Sequence, residues 1–328
     1  MEAWRLKAVS GKVITIVVPV FNEADAIGPF LSRVFDAGVD GAITLEVLFV
    51  DDGSTDRTVE AIDASIDEGQ PVRLISLSRN FGKEAALTAG LDHAGGDAVV
   101  PMDVDLQDPV ELLPLFVAKW REGYDVVQAR RSARPDDNML KRVTASAFYK
   151  LFNRLSATPI SENVGDYRLM DRRVVQALSE YREVNRFMKG LFASAGFRTA
   201  TIDYVRPRRA HGTTKWSFSR LWSFALDGLL SFSSVPLKIW TYLGVAFAAI
   251  SLLYGVFIAM RAVLGVADVP GYSSLMTAVL FMGGIQLISL GVIGEYIGRI
   301  FLEIKHRPIY IVKDRKNVPE KAREPRWT

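Results

Sequence analysis

Two charge-free stretches, Ile239 to Met260 and Tyr272 to Gly294, constrain this chain more than any other feature. Each is close to the roughly 20 apolar residues that cross a hydrocarbon core, so they predict membrane helices over 239–261 and 272–295 rather than buried core helices. Lys238 precedes the first stretch, and Arg299, Lys305, Arg307, Lys313, Arg315 and Lys316 follow the second. The connection VLGVADVPG has no basic residue, and only Arg261 stands at its edge. The excess of basic residues on the outer flanks puts both termini in the cytoplasm. The first apolar run, VITIVVPVF, is short, contains a proline and leads into NEAD, so it reads as part of a cytosolic domain and not as a signal peptide.

The 328 residues leave room for a domain of about 200 residues ahead of the spans. Up to about residue 130, short β-branched runs (VITIVVPVF, LEVLFVDD, VRLISLS, DAVVPMD, DVVQARR) alternate with amphipathic stretches such as TVEAIDASID and GKEAALTAGLDHA. This alternation predicts an α/β domain with a mostly parallel sheet covered by helices on both faces. Further on, a helix is expected from Lys141 to about Ser156, a loop, strand and helix in ENVGDYRLMDRRVVQAL, and a late strand in FRTATIDYVRPRR. Residues 215–233 interleave aromatic and leucine residues with Lys215, Arg220 and Asp227, the pattern of an interfacial amphipathic helix. The expected domains are 1–214 (cytosolic), 215–235 (interfacial), 236–302 (membrane) and 303–328 (a basic cytosolic tail).

In doubly wound sheets ligands bind beyond the carboxyl ends of the strands. Polar clusters stand at those ends: Asn22, Glu23 and Asp25 after the first strand, Asp51 and Asp52 after the second, Asp103 and Asp105 after the fourth. Asp103 and Asp105, with Gln107, suit a hard divalent cation such as Mg2+ or Mn2+, which takes one or two protein carboxylates and fills its shell with water and phosphate. The doublet Asp51–Asp52 is placed to accept hydrogen bonds from a ribose or base, while Ser54, Thr55 and Asp56 can also cap a helix. No Gly-x-Gly-x-x-Gly follows the first strand and no Walker lysine motif occurs, which disfavours a dinucleotide oxidoreductase or a P-loop enzyme. The chain has no cysteine, excluding disulfides and thiolate-bound metals. A net charge of +3 does not imply a nucleic-acid partner, although a pI near 9.0 with a basic tail suits an anionic membrane surface. Basic residues concentrate in two segments: Arg130, Arg131, Arg134 and Lys141 in the first, and Arg206, Arg208, Arg209, His211 and Lys215 just before the membrane. Such clusters recognise phosphate.

The motifs VVPVFNEAD, VDDGSTD, SRNFGKEAAL, DVDLQDP, VGDYRLMDR, HGTTKWS and GEYIGRIFLEIKHRPIYIV together resemble the membrane-anchored polyprenyl-phosphate glycosyltransferases of glycosyltransferase family 2. The likeness is greatest to the bactoprenol glucosyltransferases, with dolichol-phosphate mannose synthases as relatives, and covers about Ile14 to Val312. It implies a GT-A (Rossmann-like) domain with a C-terminal two-helix hairpin. The implied reaction transfers a sugar with inversion from a nucleotide donor, UDP-glucose first, to undecaprenyl (polyprenyl) phosphate at the bacterial inner membrane. It also implies a divalent metal, and a homo-oligomer such as a tetramer. Residue by residue, it makes Asp103, Asp105 and Gln107 the metal and diphosphate site and Asp52 a donor contact, with Pro19, Asn22 and Glu23 lining the nucleotide pocket. Asp105, Asp166 and Arg168 fall among the catalytic or acceptor groups, and Arg209, His211 and Lys215 fall in a basic loop over the phosphates. From the clustering of basic charge, Arg130, Arg131 and Lys141 are expected as further phosphate ligands.

A phosphate monoester with a second pKa near 6 is mostly a dianion at neutral pH, so the acceptor is its own nucleophile and Asp166 is expected to orient more than to remove a proton. The same fold could take GDP-mannose, a UDP-N-acetylhexosamine or a UDP-aminoarabinose derivative. A processive polysaccharide synthase would need more spans and a Gln-x-x-Arg-Trp motif, and a non-catalytic nucleotide-binding scaffold would not need intact Asp103 and Asp105. At the second span, Gly294 and Gly298 have the spacing of a close helix contact, and Glu295 and Arg299 that of an i,i+4 pair.

Overall fold

The run Lys12–Val20, KVITIVVPV, has apolar β-branched residues on both of its faces and becomes the central strand β1, buried along most of its length. A strand covered on both faces has no solvent side to keep polar, so its pattern is continuous rather than alternating. The same holds for β2 (Ile43–Asp51), β3 (Val72–Leu77) and β4 (Ala98–Pro101), which join β1 in parallel. The structure is a computed structural model and describes residues 11–133, 153–154, 161–184, 186, 188–205, 235–264 and 271–318.

Helices α1 (Ala24–Phe35), α2 (Thr58–Asp67), α3 (Lys83–His93) and α4 (Leu113–Arg121) lie between these strands and the next one. Two apolar layers result. On one face Ile14, Ile16 and Val18 of β1 belong to a cluster with Phe30 of α1, Ile62 of α2 and Phe116 of α4. On the other, Val17, Leu48 and Ile75 cluster with Ala86 and Ala89 of α3, Val174 and Leu178 of α5 (Arg172–Glu180), and Leu191 of α6 (Met188–Ser194). Helix α3 presses hard on the sheet because Gly90 has no Cβ, which would overlap the Val17 side chain.

The sheet is mostly parallel, as expected, and is mixed because two of its strands run against the other six. Its order is β7-β5-β6-β4-β1-β2-β3-β8, with β5 at Val126–Ala133, β6 at Val164–Asp171, β7 at Thr199–Val205 and β8 at Val312–Lys316. Strand β6 inserts antiparallel to both β4 and β5, while β5 and β7 are parallel. Strand β8 pairs antiparallel with β3, so the segment expected as a free basic tail carries an edge strand of the sheet. Its sequence, VKDRK, is charged, as suits a strand with one open edge. Lys316 Nζ reaches Asp63 Oδ2 at 2.5 Å, and the Tyr310 hydroxyl donates to Asp92 Oδ2 at 2.9 Å.

Helices α7 (Val235–Val263) and α8 (Tyr272–Ile304) run for 29 and 33 residues, longer at both outer ends than expected. Among the described residues Ser274–Ile304 is the one segment long and apolar enough by itself to cross a membrane; the apolar run of α7 is Tyr242–Phe257. Leu252, Leu253, Leu275 and Leu287 are exposed, which suits lipid and not a protein core. The helices meet at Phe247 and Phe281, ring centroids 6.1 Å apart. Among the described residues a Cβ on Gly294 or Gly298 would meet nothing within 4 Å, so the hairpin's own contact is elsewhere. The expected Glu295–Arg299 pair is present at 3.1 Å. The interfacial helix of 215–233 and all but residues 153 and 154 of the expected helix from Lys141 lie outside the described residues.

Candidate active site

All four parallel strands end at one edge, and the loops there are tied together by side-chain oxygens. Asn22, with φ at 56°, takes the Thr55 N–H on Oδ1 at 2.8 Å and donates its own N–H to Ser54 Oγ at 2.9 Å. Glu23 donates its N–H to Thr58 Oγ1 at 2.9 Å. Asp51 accepts the Ser54 N–H at 3.0 Å. Between them Gly53 has φ at 76°, and a Cβ there would lie 2.6 Å from the Arg79 carbonyl carbon, so the turn admits only glycine. Asp52 is buried and accepts the N–H groups of Phe81 at 2.7 Å and Gly82 at 2.9 Å. Burial raises its pKa and these two bonds work against the rise. The carboxylate thus fixes the loop that leads into α3 and sets where Lys83 and Glu84 stand.

Because β6 runs antiparallel, its first residues lie at the edge where β4 ends. The result is a cavity of about 270 Å³ bounded by Pro19, Lys83, Leu87, Pro101, Met102, Asp103, Asp108, Arg131, Asn163, Val164, Gly165, Asp166 and Lys189. Lys83 Nζ bridges its acidic wall, 2.6 Å from Asp103 Oδ1 and 3.5 Å from Asp166 Oδ2. Burial opposes the charge on Lys83, but these carboxylates outweigh it and hold the ammonium above its usual pKa. The buried Asp108 takes a hydrogen bond from the Tyr204 hydroxyl at 3.4 Å, and Arg131 Nε donates to that hydroxyl at 3.1 Å. Tyr167, buried and 4.9 Å from the Phe116 ring, donates its hydroxyl to the Pro109 carbonyl at 2.8 Å and so pins the Asp-rich turn to β6.

That turn holds Asp105 exposed, its Oδ1 taking the Gln107 N–H at 3.1 Å, with Leu106 at φ 54° and Gln107 buried. Among the described residues no three His, Asp or Glu side chains close around one point. The acidic groups are nonetheless near enough to feel one another: burial, then Asp105, Asp56 and Asp103, push Glu23 above its usual pKa. Two carboxylates backed by further negative charge are a donor set that fits a hard cation completed by phosphate oxygens.

Of the expected site residues, Pro19, Asp103, Arg131 and Asp166 line the cavity together. Arg130 does not join them. Adjacent strand residues point to opposite faces, and Arg130 makes two bonds to Asp203 of β7, at 2.6 and 2.9 Å, on an exposed face. Arg168 is buried behind the cavity wall, donating to the Gly165 carbonyl at 2.7 Å and lying 3.9 Å from the Phe192 ring centre. Burial pulls its pKa down to about 10. It therefore holds the backbone that presents Asp166 and does not itself line the cavity. Lys141, Arg209, His211 and Lys215 lie outside the described residues. Sequence reasoning did not single out Lys83, Asp108, Asn163 or Lys189. Lys83 directly follows the conspicuous SRNFG loop, whereas Lys189 is a lone cation in the apolar run FMKGLF, where only the fold shows what it faces.

Residues 15–179 match the model of Glycosyl transferase family 2, and residues 235–300 match the GtrB C-terminal hairpin. The chain is 49% identical over 303 residues to the bactoprenol glucosyl transferase of Shigella phage SfV, covering 92% of this chain and 99% of that one. It is 48% identical over 301 residues to an uncharacterized glycosyltransferase of Synechocystis sp., covering 92% and 95%. Among solved structures it is similar to the mannosyltransferase PcManGT from Pyrobaculum calidifontis, with a TM-score of 0.42 and 21% identity over 86% of this chain and 88% of that one. The protein belongs to glycosyl transferase family 2, with a GT-A-like mixed α/β sheet and a C-terminal hairpin.

Proposed function

We propose that this glycosyltransferase moves glucose from UDP-glucose to a polyprenyl phosphate at the cytoplasmic face of a bacterial inner membrane. The observation that carries the reading is one cavity in which Asp103, at the donor edge, meets Asp166, Arg131 and two lysines, in a chain that also carries a GtrB-type hairpin. The identity to bactoprenol glucosyl transferases over nearly their full length supports the sugar and the acceptor. Pro19, Asn22, Glu23 and Asp52 are assigned to the nucleotide, and Asp103, Asp105 and Gln107 to Mg2+ or Mn2+ and the diphosphate. When bound, the metal would offset charge on the departing nucleoside diphosphate.

An acceptor phosphate that is already a dianion attacks the anomeric carbon as the bond to the nucleotide breaks, giving inversion without a strong base. Asp166, already beside the Lys83 ammonium, orients that cation and the acceptor. Arg168 keeps the Asp166 backbone in place.

The sheet supports the hairpin topology. Strand β8 pairs with β3, so residue 312 is on the same side of the membrane as the catalytic domain. The chain between β7 and β8 would then cross an even number of times, and with residues 215–233 read as interfacial a crossing by α8 pairs with one by α7. At about 1.5 Å per residue the 29 residues of α7 measure about 43 Å, more than a hydrocarbon core of about 30 Å. The decisive test is incubation of detergent-purified protein with undecaprenyl phosphate, Mg2+ or Mn2+ and a panel of radiolabelled nucleotide sugars. Lipid-extractable product with UDP-glucose is expected. Product only with GDP-mannose, a UDP-N-acetylhexosamine or a UDP-aminoarabinose derivative would overturn the sugar assignment.

A further inference from the structure

Three cations line the cavity, and two of them are spoken for. Lys83 bridges Asp103 and Asp166, and Arg131 is tied to Tyr204 beside Asp108. Lys189, the second residue of α6, has no ion-pair partner among the described residues. Its surroundings leave its charge poorly balanced. Burial depresses its pKa and Arg131 and Arg168 repel it, against attraction from Asp166 and Glu84. Glu84 is itself a weak counter-ion: one of its carboxylate oxygens is buried without a partner, and burial and Asp166 push its pKa up to about 7. An ammonium kept at a cavity wall without a fixed counter-charge is costly unless an anion completes it.

Position along the sheet says which anion. The residues assigned to the nucleotide stand at the ends of β1 and β2, while Lys189, Arg131 and Asp166 stand on the β5–β6 side, with Asp103 at the end of β4 between the two groups. An anion on the β5–β6 side is therefore the second substrate and not the leaving diphosphate. We propose that Lys189, together with Arg131, forms the seat for the acceptor's phosphate monoester, an inference that rests on the acceptor class proposed above.

Full-length protein in detergent, as wild type, Lys189→Met and Lys189→Arg, should be titrated calorimetrically with farnesyl monophosphate, farnesol and UDP with Mn2+. Loss of a charge-assisted contact should weaken farnesyl monophosphate binding to Lys189→Met by about tenfold or more and raise KM for undecaprenyl phosphate in parallel, with UDP affinity unchanged. Lys189→Arg, which keeps the charge, should stay within about threefold of wild type. Farnesyl monophosphate binding to Lys189→Met at wild-type strength would overturn the inference. So would an equal loss of UDP affinity, which would make Lys189 a donor ligand or a structural residue. Wild type that binds farnesol as tightly as farnesyl monophosphate would instead remove the phosphate-acceptor reading itself, and the lysine's role with it.

Discussion

At the scale of single residues, Asp105 and Glu84 show how differently two carboxylates at one edge behave. Asp105 is exposed on a tight turn and supports no core packing, so Asp105→Asn should leave the melting temperature unchanged. Removing one of two carboxylates from the expected cation site should lower turnover by about a hundredfold or more and weaken Mn2+ binding measured by electron paramagnetic resonance. Full activity in the variant, or in excess EDTA, would exclude the metal assignment. Glu84 is a stability group. Its pKa rises from an ordinary 4.5 to about 7, so between those values the folded state holds a proton that the unfolded chain has lost, and stability falls as pH increases through the window. The loss should amount to about 1–3 kcal/mol by about pH 8. Glu84→Gln should flatten this decline in thermal melts compared at about pH 5 and about pH 8. A variant as pH-sensitive as wild type would refute the account.

At the scale of elements, strand pairing depends on a buried polar network as well as on apolar burial. Glu46 of β2 and Arg73 of β3 form an ion pair at 2.9 Å with both side chains buried, and Thr15 of β1 donates its hydroxyl to Glu46 at 2.5 Å. Thr15 also accepts the Gly96 N–H at 2.9 Å just before β4. The network thus fixes the relative register of β1, β2, β3 and the entry to β4. Breaking it on one side strands a buried charge: Arg73→Met should cost about 3–5 kcal/mol in chemical unfolding, while the Glu46→Met, Arg73→Met double variant should recover much of that. Equal destabilisation by the single and double variants would show that packing volume matters more than the charge left behind. None of this pairing was visible beforehand, because Glu46 and Arg73 are 27 positions apart and each interrupts an otherwise apolar run.

At the scale of the whole molecule, the pairing of β8 with β3 ties the proposed membrane topology to the fold and makes it testable. The absence of cysteine provides a clean background for site labelling. In intact cells stripped of their outer envelope, an impermeant maleimide should label Ala267→Cys, in the helix connection, and spare Glu68→Cys and Lys313→Cys until the membrane is broken. Labelling of Lys313→Cys from outside would contradict the pairing of β8 with β3.

The four parallel strands, the helices between them and the two long apolar helices near the C-terminus were legible in order along the chain because environment dictates local pattern: continuous apolar runs where both faces of a strand are covered, and long charge-free runs in helices that leave their apolar side chains exposed. The edge that gathers Asp52, Asp103 and Asp105 followed from strand direction alone. The antiparallel entry of β6, which brings Asp166 beside Asp103, did not, since strand polarity leaves no mark on the strand's own residues. The alternation along β5 that parts Arg130 from Arg131, the burial of Arg168 behind the wall and the place of Lys189 at the cavity likewise appear only in the fold. The charged strand β8 was equally hidden, because an edge strand can be as polar as a tail and only its pairing with β3 tells them apart.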